Sequence, residues 1–271
     1  MTESYVALVT GASAGIGEAT ARRLAREPGA QLVLVARRED RLQQLATELG
    51  APATIIALDL IKDDAPTKIR EALEREHQGR LHLLVNNAGS AWRGTFADTG
   101  WPNIERHLKL NLEAPLKLTH ELLPLLRATA KDNSSGRRVA IVNVASTAAR
   151  VSRPNSGSYS VSKFALAGWN DALCNEEAPN GIHVGLVLPG FVKTEGFPAT
   201  ELLANPVTRL IVSRPERVAE AIVEAGPGGK AERYVPRPYW LAAAVRILSP
   251  ALVRRATAGG AFTTATAKRD D

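Results

Sequence analysis

Sulfur is nearly absent from this chain: its 271 residues include one cysteine, Cys174, and one methionine. A single cysteine excludes an intrachain disulfide, and its place inside an apolar helical pattern reads as a small buried residue rather than a reactive thiol. An intracellular compartment is the corresponding expectation, with the cytoplasm as default. Long apolar runs are missing too. No stretch reaches membrane-spanning length, and the opening M-T-E-S enters Y-V-A-L-V within five residues, leaving no room for a basic leader and a hydrophobic signal core. The five histidines, His77, His82, His107, His120 and His183, are scattered without ligand spacing, so no metal site is assigned.

What is present is an ordinary globular composition. Hydrophobic residues make up 45% and charged residues 23%, which points away from disorder and from fibrous architectures. The net charge of +6 is unevenly placed: residues 205–271 carry eleven Lys and Arg against six Asp and Glu. That surplus suits an acidic substrate carrier or an anionic membrane surface. No motif supports nucleic acid, and a solvated basic face is the blander reading.

Short runs rich in Val, Ile and Leu alternate with helix-period segments: Y-V-A-L-V-T, Q-L-V-L-V-A, A-T-I-I-A-L, L-H-L-L-V-N, R-V-A-I-V-N-V, G-I-H-V-G-L-V-L and R-Y-V-P. Strands buried on both faces have this look, and the intervening lengths suit crossover helices. The expectation is an α/β fold with a parallel sheet of about seven strands and helices on both sides. No linker divides the chain. Residues 191–214 and the tail after about residue 237 resist the pattern.

The first strand runs into T-G-A-S-A-G-I-G at 10–17, which places Gly11, Gly15 and Gly17 at G-x-x-x-G-x-G spacing before a helix. Glycine permits the tight turn and lets phosphate oxygens approach backbone N–H groups at the helix N-terminus. The second strand ends L-V-A-R-R. Ala36 stands where a carboxylate would hydrogen-bond a ribose and repel a 2′-phosphate, and Arg37 and Arg38 follow. Arginine offers bidentate, permanently charged donors to phosphate. NADP(H) is therefore the expected cofactor, with Arg37 as the main contact and Arg38 as the more solvated of the two.

In S-G-S-Y-S-V-S-K, residues 156–163, Tyr159 and Lys163 lie four apart and share a face if the segment is helical. A tyrosine titrates near about 10, and an adjacent ammonium favours phenolate. Spacing alone fits an ordinary surface pair equally well.

The ordered set T-G-A-S-A-G-I-G at 10–17, L-D-L at 58–60, N-N-A-G at 86–89, Asn111, Ser146, Y-S-V-S-K at 159–163 and P-G-F-V-K-T at 189–194 resembles the short-chain dehydrogenase/reductase family over roughly residues 5–195. The resemblance implies a Rossmann-type doubly wound sheet. It implies Asn111, Ser146, Tyr159 and Lys163 as the catalytic set, with Tyr159 exchanging a proton with the substrate oxygen, Lys163 lowering its pKa and holding the nicotinamide ribose, and Ser146 polarising the same oxygen. Cofactor contacts are expected from Gly11, Ser13, Ala14, Gly15, Ile16, Gly17, Arg37, Arg38, Asp59, Leu60, Asn87, Ala88, Gly89, Tyr159, Lys163, Pro189, Gly190, Val192 and Thr194. The implied activity is interconversion of a carbonyl and a secondary alcohol, in the reducing direction, on a small molecule, with lipophilic ones among the candidates. The implied assembly is a homodimer or homotetramer. The rival reading is a dinucleotide-binding sensor without chemistry, against which the intact quartet speaks.

Pro115 lies four residues after Asn111 and has no N–H, so the Asn111 carbonyl loses its regular helical partner and a kink is expected there. The chain divides into a domain at 1–237 and an amphipathic basic extension at 238–271, in which two helical pieces meet at Pro250. Packing on the pocket or between subunits is the favoured reading of that extension, with contact to a membrane surface second. The last residues, from A-G-G-A-F onward, are expected to be loosely ordered.

Overall fold

The computed structural model describes residues 4–132, 136–195, 197, 202, 204 and 208–258. The closing stretch expected to be loose lies outside the described residues from 259 onward, as does much of the segment after Thr194.

Seven parallel strands form one sheet: β1 (Tyr5–Thr10), β2 (Ala30–Ala36), β3 (Ala53–Ala57), β4 (Leu83–Asn86), β5 (Val139–Val144), β6 (Ile182–Pro189) and β9 (Glu232–Val235), in the order β3-β2-β1-β4-β5-β6-β9. Each of the seven apolar runs of the sequence supplies one of them. A two-stranded parallel pair, β7 (Phe191–Val192) with β8 (Val212–Ser213), stands apart.

Parallel neighbours require crossovers, and helices supply them. They are α1 (Gly15–Leu24), α2 (Glu39–Glu48), α3 (Ala65–His77), α4 (Phe96–Leu108), α5 (Ala114–Lys131), α6 (Gly157–Glu177) and α7 (Pro215–Ala225). The two-residue period of the strands divides the core into two layers. Tyr5, Ala7 and Val9 of β1 pack with Leu24 of α1, Leu42 and Leu45 of α2, and Val218 and Ile222 of α7. Val6 and Leu8 face the other way, onto Ile69 and Leu73 of α3, Leu118 and Leu122 of α5, and Leu173 of α6.

The strand order reverses between β1 and β4, and the site lies at the carboxyl ends of these strands, where an open α/β sheet forms its crevice. Two further helices, α8 (Tyr239–Leu248) and α9 (Pro250–Ala258), follow β9 and pack against each other.

Candidate active site

The glycine turn is built by close approach. Gly11 and Gly15 take left-handed backbone angles, φ 68° and 59°. A Cβ on Gly17 would sit 2.2 Å from the Gly11 carbonyl oxygen, so no larger residue fits where α1 crosses the turn. The residue before α1, Ala14, has no side chain with which to cap it. The first N–H groups of α1 are thus left to the solvent side of the crevice, which suits the phosphates of a dinucleotide.

Thr10 fastens the next loop. Its hydroxyl accepts from the Asn87 and Ala88 N–H groups at 2.9 and 3.0 Å and donates to the Val85 carbonyl at 3.1 Å. The Asn87 amide returns a bond to the Thr10 carbonyl at 2.8 Å. Beneath this loop, buried Asn86 donates to both Asn143 and Thr119, and Asn143 donates to Asn170, tying β4 and β5 to α5 and α6. Sequence reading did not single out Thr10, Asn143 or Asn170; a polar residue inside an apolar strand run was the available signal.

Beyond β2, the two arginines part company. Both are exposed. Arg38 reaches across to the glycine turn, donating to the Ser13 hydroxyl and carbonyl at 3.4 and 3.3 Å, and pairs with Glu195 at 3.2 Å. Arg38, just before α2, is the one turned toward the glycine turn. Asp59 accepts from the Ile61 N–H at 3.3 Å, just past β3, with Leu60 between them. Thr194 closes the turn from the opposite side, since a Cβ on Gly15 would lie 3.1 Å from its methyl group.

Ser146 follows β5 by two residues, and α6 carries Tyr159 and Lys163 on one face. The Ser146 hydroxyl neighbours Tyr159 closely enough to lower its pKa; it accepts from Ala148 N–H at 3.1 Å and donates to the Pro189 carbonyl at 3.3 Å. Lys163 is buried, with its Nζ donating to the Val144 carbonyl at 2.9 Å and lying 5.9 Å from the Tyr159 ring centre. Burial lowers the Lys163 pKa to about 8.

Burial raises the Tyr159 pKa above the ordinary tyrosine value; the neighbouring Ser146 hydroxyl and then the charges of Arg153 and Arg93, two residues that sequence reading passed over, pull it down in part. Arg153 stacks over Phe191 at 4.5 Å and Arg93 over Phe197 at 4.8 Å, with the two rings stacked 5.8 Å apart. Burial, and next the neighbouring Arg93, lower the pKa of Arg153.

Asn111 sits in a π-helical turn, Lys109–Glu113, between α4 and α5, where the Ala114 N–H bonds back to Lys109. This is the kink expected next to Pro115. The side chain is buried and acts as a clasp: Oδ1 accepts from Ser90 N–H at 2.9 Å, while Nδ2 donates to the Ser90 carbonyl at 2.9 Å and to Ser162 Oγ at 3.2 Å. Ser162 donates in turn to the Tyr159 carbonyl at 2.8 Å. A Cβ on Gly89 would lie 3.0 Å from Asn111 Oδ1 and 3.6 Å from Lys163 Nζ, so this glycine leaves the passage between the two side chains open.

His107, one of the scattered histidines, stands edge-on to Tyr159 with ring centres 5.9 Å apart. Its Nδ1 contacts the Asn103 carbonyl at 2.6 Å and its Nε2 accepts from the Trp92 N–H, a pattern that fixes the neutral tautomer with the proton on Nδ1. Burial lowers its pKa and keeps it in that form. Among the described residues no cluster of His, Cys, Asp and Glu could hold a metal.

The match to known proteins covers the same ground. The family model for short chain dehydrogenases matches residues 5–202. Oxidoreductase UcpA of Salmonella typhimurium is 34% identical over 224 residues, covering 82% of this chain and 80% of that protein. Ketoacyl reductase HetN of Nostoc is 35% identical, covering 80% of this chain and 74% of that protein. Among solved structures, the 3-ketoacyl-(acyl-carrier-protein) reductase of Brucella melitensis, complexed with NADH, has a TM-score of 0.76 at 28% identity over 87% of this chain and 98% of its own. A short-chain dehydrogenase from Streptomyces avermitilis shares the fold with a TM-score of 0.77. The turn at Gly11, the Ser146, Tyr159 and Lys163 cluster and these likenesses agree: this chain belongs to the short-chain dehydrogenase family and is an oxidoreductase built to hold a nicotinamide cofactor.

Proposed function

We propose that the protein reduces a carbonyl to a secondary alcohol with NADPH, and that Tyr159 is the proton donor. The observation that carries this is the hydroxyl of Tyr159, beside Ser146 and kept protonated by burial, so that the acid form is the resting form at neutral pH. The dinucleotide, when bound, supplies the hydride. Everything else falls to the chain's own side chains. Ser146 orients the substrate oxygen beside Tyr159, and the charges of Arg153 and Arg93 lower the cost of the phenolate left after proton transfer. Lys163, its Nζ held on the Val144 carbonyl, would hold the ribose of the bound dinucleotide.

The preference for the phosphorylated cofactor rests on Ala36 at the end of β2 and on Arg38 beside Ser13, where a guanidinium can take a 2′-phosphate. Trp92, His107, Phe191 and Phe197 give the substrate side an aromatic wall. Such a wall suits a lipophilic ketone. Exposed Val161 and Phe164 on α6 support self-association as a dimer or tetramer. A cytoplasmic location remains the reading from cysteine usage, and among the described residues no helix is long and apolar enough to cross a membrane.

The test is turnover of a graded panel of ketones with NADPH and with NADH, by the wild type and Tyr159→Phe. Reduction by the wild type and none by the variant is expected. Equal rates from the two proteins would remove Tyr159 from the chemistry, and a clear preference for NADH would remove the phosphate reading of Arg38.

A further inference from the structure

We propose that the outward face of the C-terminal helix pair adsorbs to an anionic lipid surface. The helix α8 holds on to the sheet through one side only. The Tyr239 ring covers Gly190, where a Cβ would come within 2.4 Å of it, and the Tyr239 hydroxyl donates to the Ile211 carbonyl at 3.4 Å. Ala243, one turn on, is buried. The opposite side is apolar and open, with Leu241 51% and Leu248 83% exposed. Trp240 at 54%, Ile247 at 77% and Leu252 of α9 at 57% are exposed as well. Trp240, Leu241, Ala244, Val245 and Leu248 recur at helical spacing and so form one stripe.

Charge identifies the occupant. Between Glu232 and Asp270 the chain has no acidic residue, while Arg237, Arg246, Arg254 and Arg255 fall within this segment. Arg254 and Arg255 of α9 are exposed, while Arg237 lies 3.8 Å from Glu224. An exposed apolar helix face with a tryptophan, in a segment whose only charged residues before Asp270 are basic, matches the headgroup and upper acyl region of an anionic bilayer. A second copy fits less well, because a twofold contact through this face would bring the arginines of one protomer toward those of the other. Each helix is short, about 15 Å at most, so the pair lies on a surface and does not enter it deeply. Nothing in this depends on the reaction at Tyr159.

The experiment is co-sedimentation of the full chain with vesicles of phosphatidylcholine alone and of phosphatidylcholine mixed with phosphatidylglycerol. Two double variants are carried in parallel, Ile247→Ser with Leu248→Ser and Arg254→Gln with Arg255→Gln. Their side chains are exposed, so both variants keep the wild-type melting temperature. The expected result is binding to the mixed vesicles about tenfold or more tighter than to the neutral ones, weakening as salt is raised. Each double variant loses roughly tenfold of that affinity. Trp240 emission shifts to the blue on the mixed vesicles. A wild type that stays in the supernatant with the mixed vesicles overturns the proposal, and so do double variants that bind as the wild type does. A concentration-dependent oligomer that only the serine pair dissolves, without vesicle binding, assigns the face to a second copy instead.

Discussion

The crevice around Tyr159 and the helix pair after β9 are made of similar residue types, aromatics, aliphatics and arginines, arranged on opposite terms. In the crevice each polar side chain is held from more than one direction. Asn111 clasps both backbone groups of Ser90 and reaches Ser162, Thr10 bridges three backbone groups, and the arginines near Tyr159 lie over stacked phenyl rings. In the helix pair Tyr239 and Ala243 are turned inward, and the larger aliphatics are exposed. A site that must hold a reacting atom to a fraction of an ångström needs the first kind of packing. A surface that meets a fluid partner needs only the second. Gly190 is the seam, since it directly follows β6 beside the site and lies under the ring that anchors α8.

The largest effect that separates the two regions comes from the crevice. Tyr159→Phe removes only the transferable proton, so kcat falls by about 10²–10⁴, while dinucleotide affinity, read by fluorescence titration, stays near wild type. Lys163→Ala lowers both kcat and cofactor affinity, because one side chain serves two tasks; an unchanged dissociation constant would separate those tasks.

Lys163 also sets a pH signature. Its pKa is about 8 in the fold against 10.5 for the ordinary side chain, so between these values the unfolded chain binds the proton more tightly. The cost of the buried charge is full below about 8 and is relieved as pH rises toward 10.5. The denaturation free energy of the wild type should therefore rise, relative to that of Lys163→Met, between neutral pH and pH about 10. A difference that stays flat over that range would contradict the burial of the ammonium.

At the adenosine end, Arg38→Ala should weaken NADPH binding about tenfold and NADH binding little, whereas Arg37→Ala should change the ratio less. The reverse order would restore Arg37 as the main contact. The smallest effect belongs to the seam. Tyr239→Ala leaves the Gly190 face uncovered and should cost about 1–2 kcal/mol of stability; a loss as large as that of a core leucine would show the helix pair to be part of the folding core.

The fold was legible because its strands are buried on both faces and therefore appear as unbroken apolar runs, from Tyr5–Thr10 to Ile182–Pro189. The kink at Asn111 was legible because a missing N–H is a covalent fact about Pro115. The roles of Arg93, Arg153 and His107 were not. Each is unremarkable in its own stretch, and they meet Tyr159 only because α4, β7 and α6 converge at the end of the sheet. Sequence distance says which residues share a face and not where long side chains turn, so the reach of Arg38 to Ser13 and of Lys163 to the Val144 carbonyl belongs to the fold.

By itself, then, the sequence determined the alternation of strand and helix and the glycine turn, both of which depend on local chemistry and periodicity. Tertiary structure alone decided which charges act on Tyr159, which of two adjacent arginines lies over Ser13, and that the tail keeps its apolar face outward. Those outcomes depend on burial and on distances between residues far apart in the chain, which no local pattern encodes.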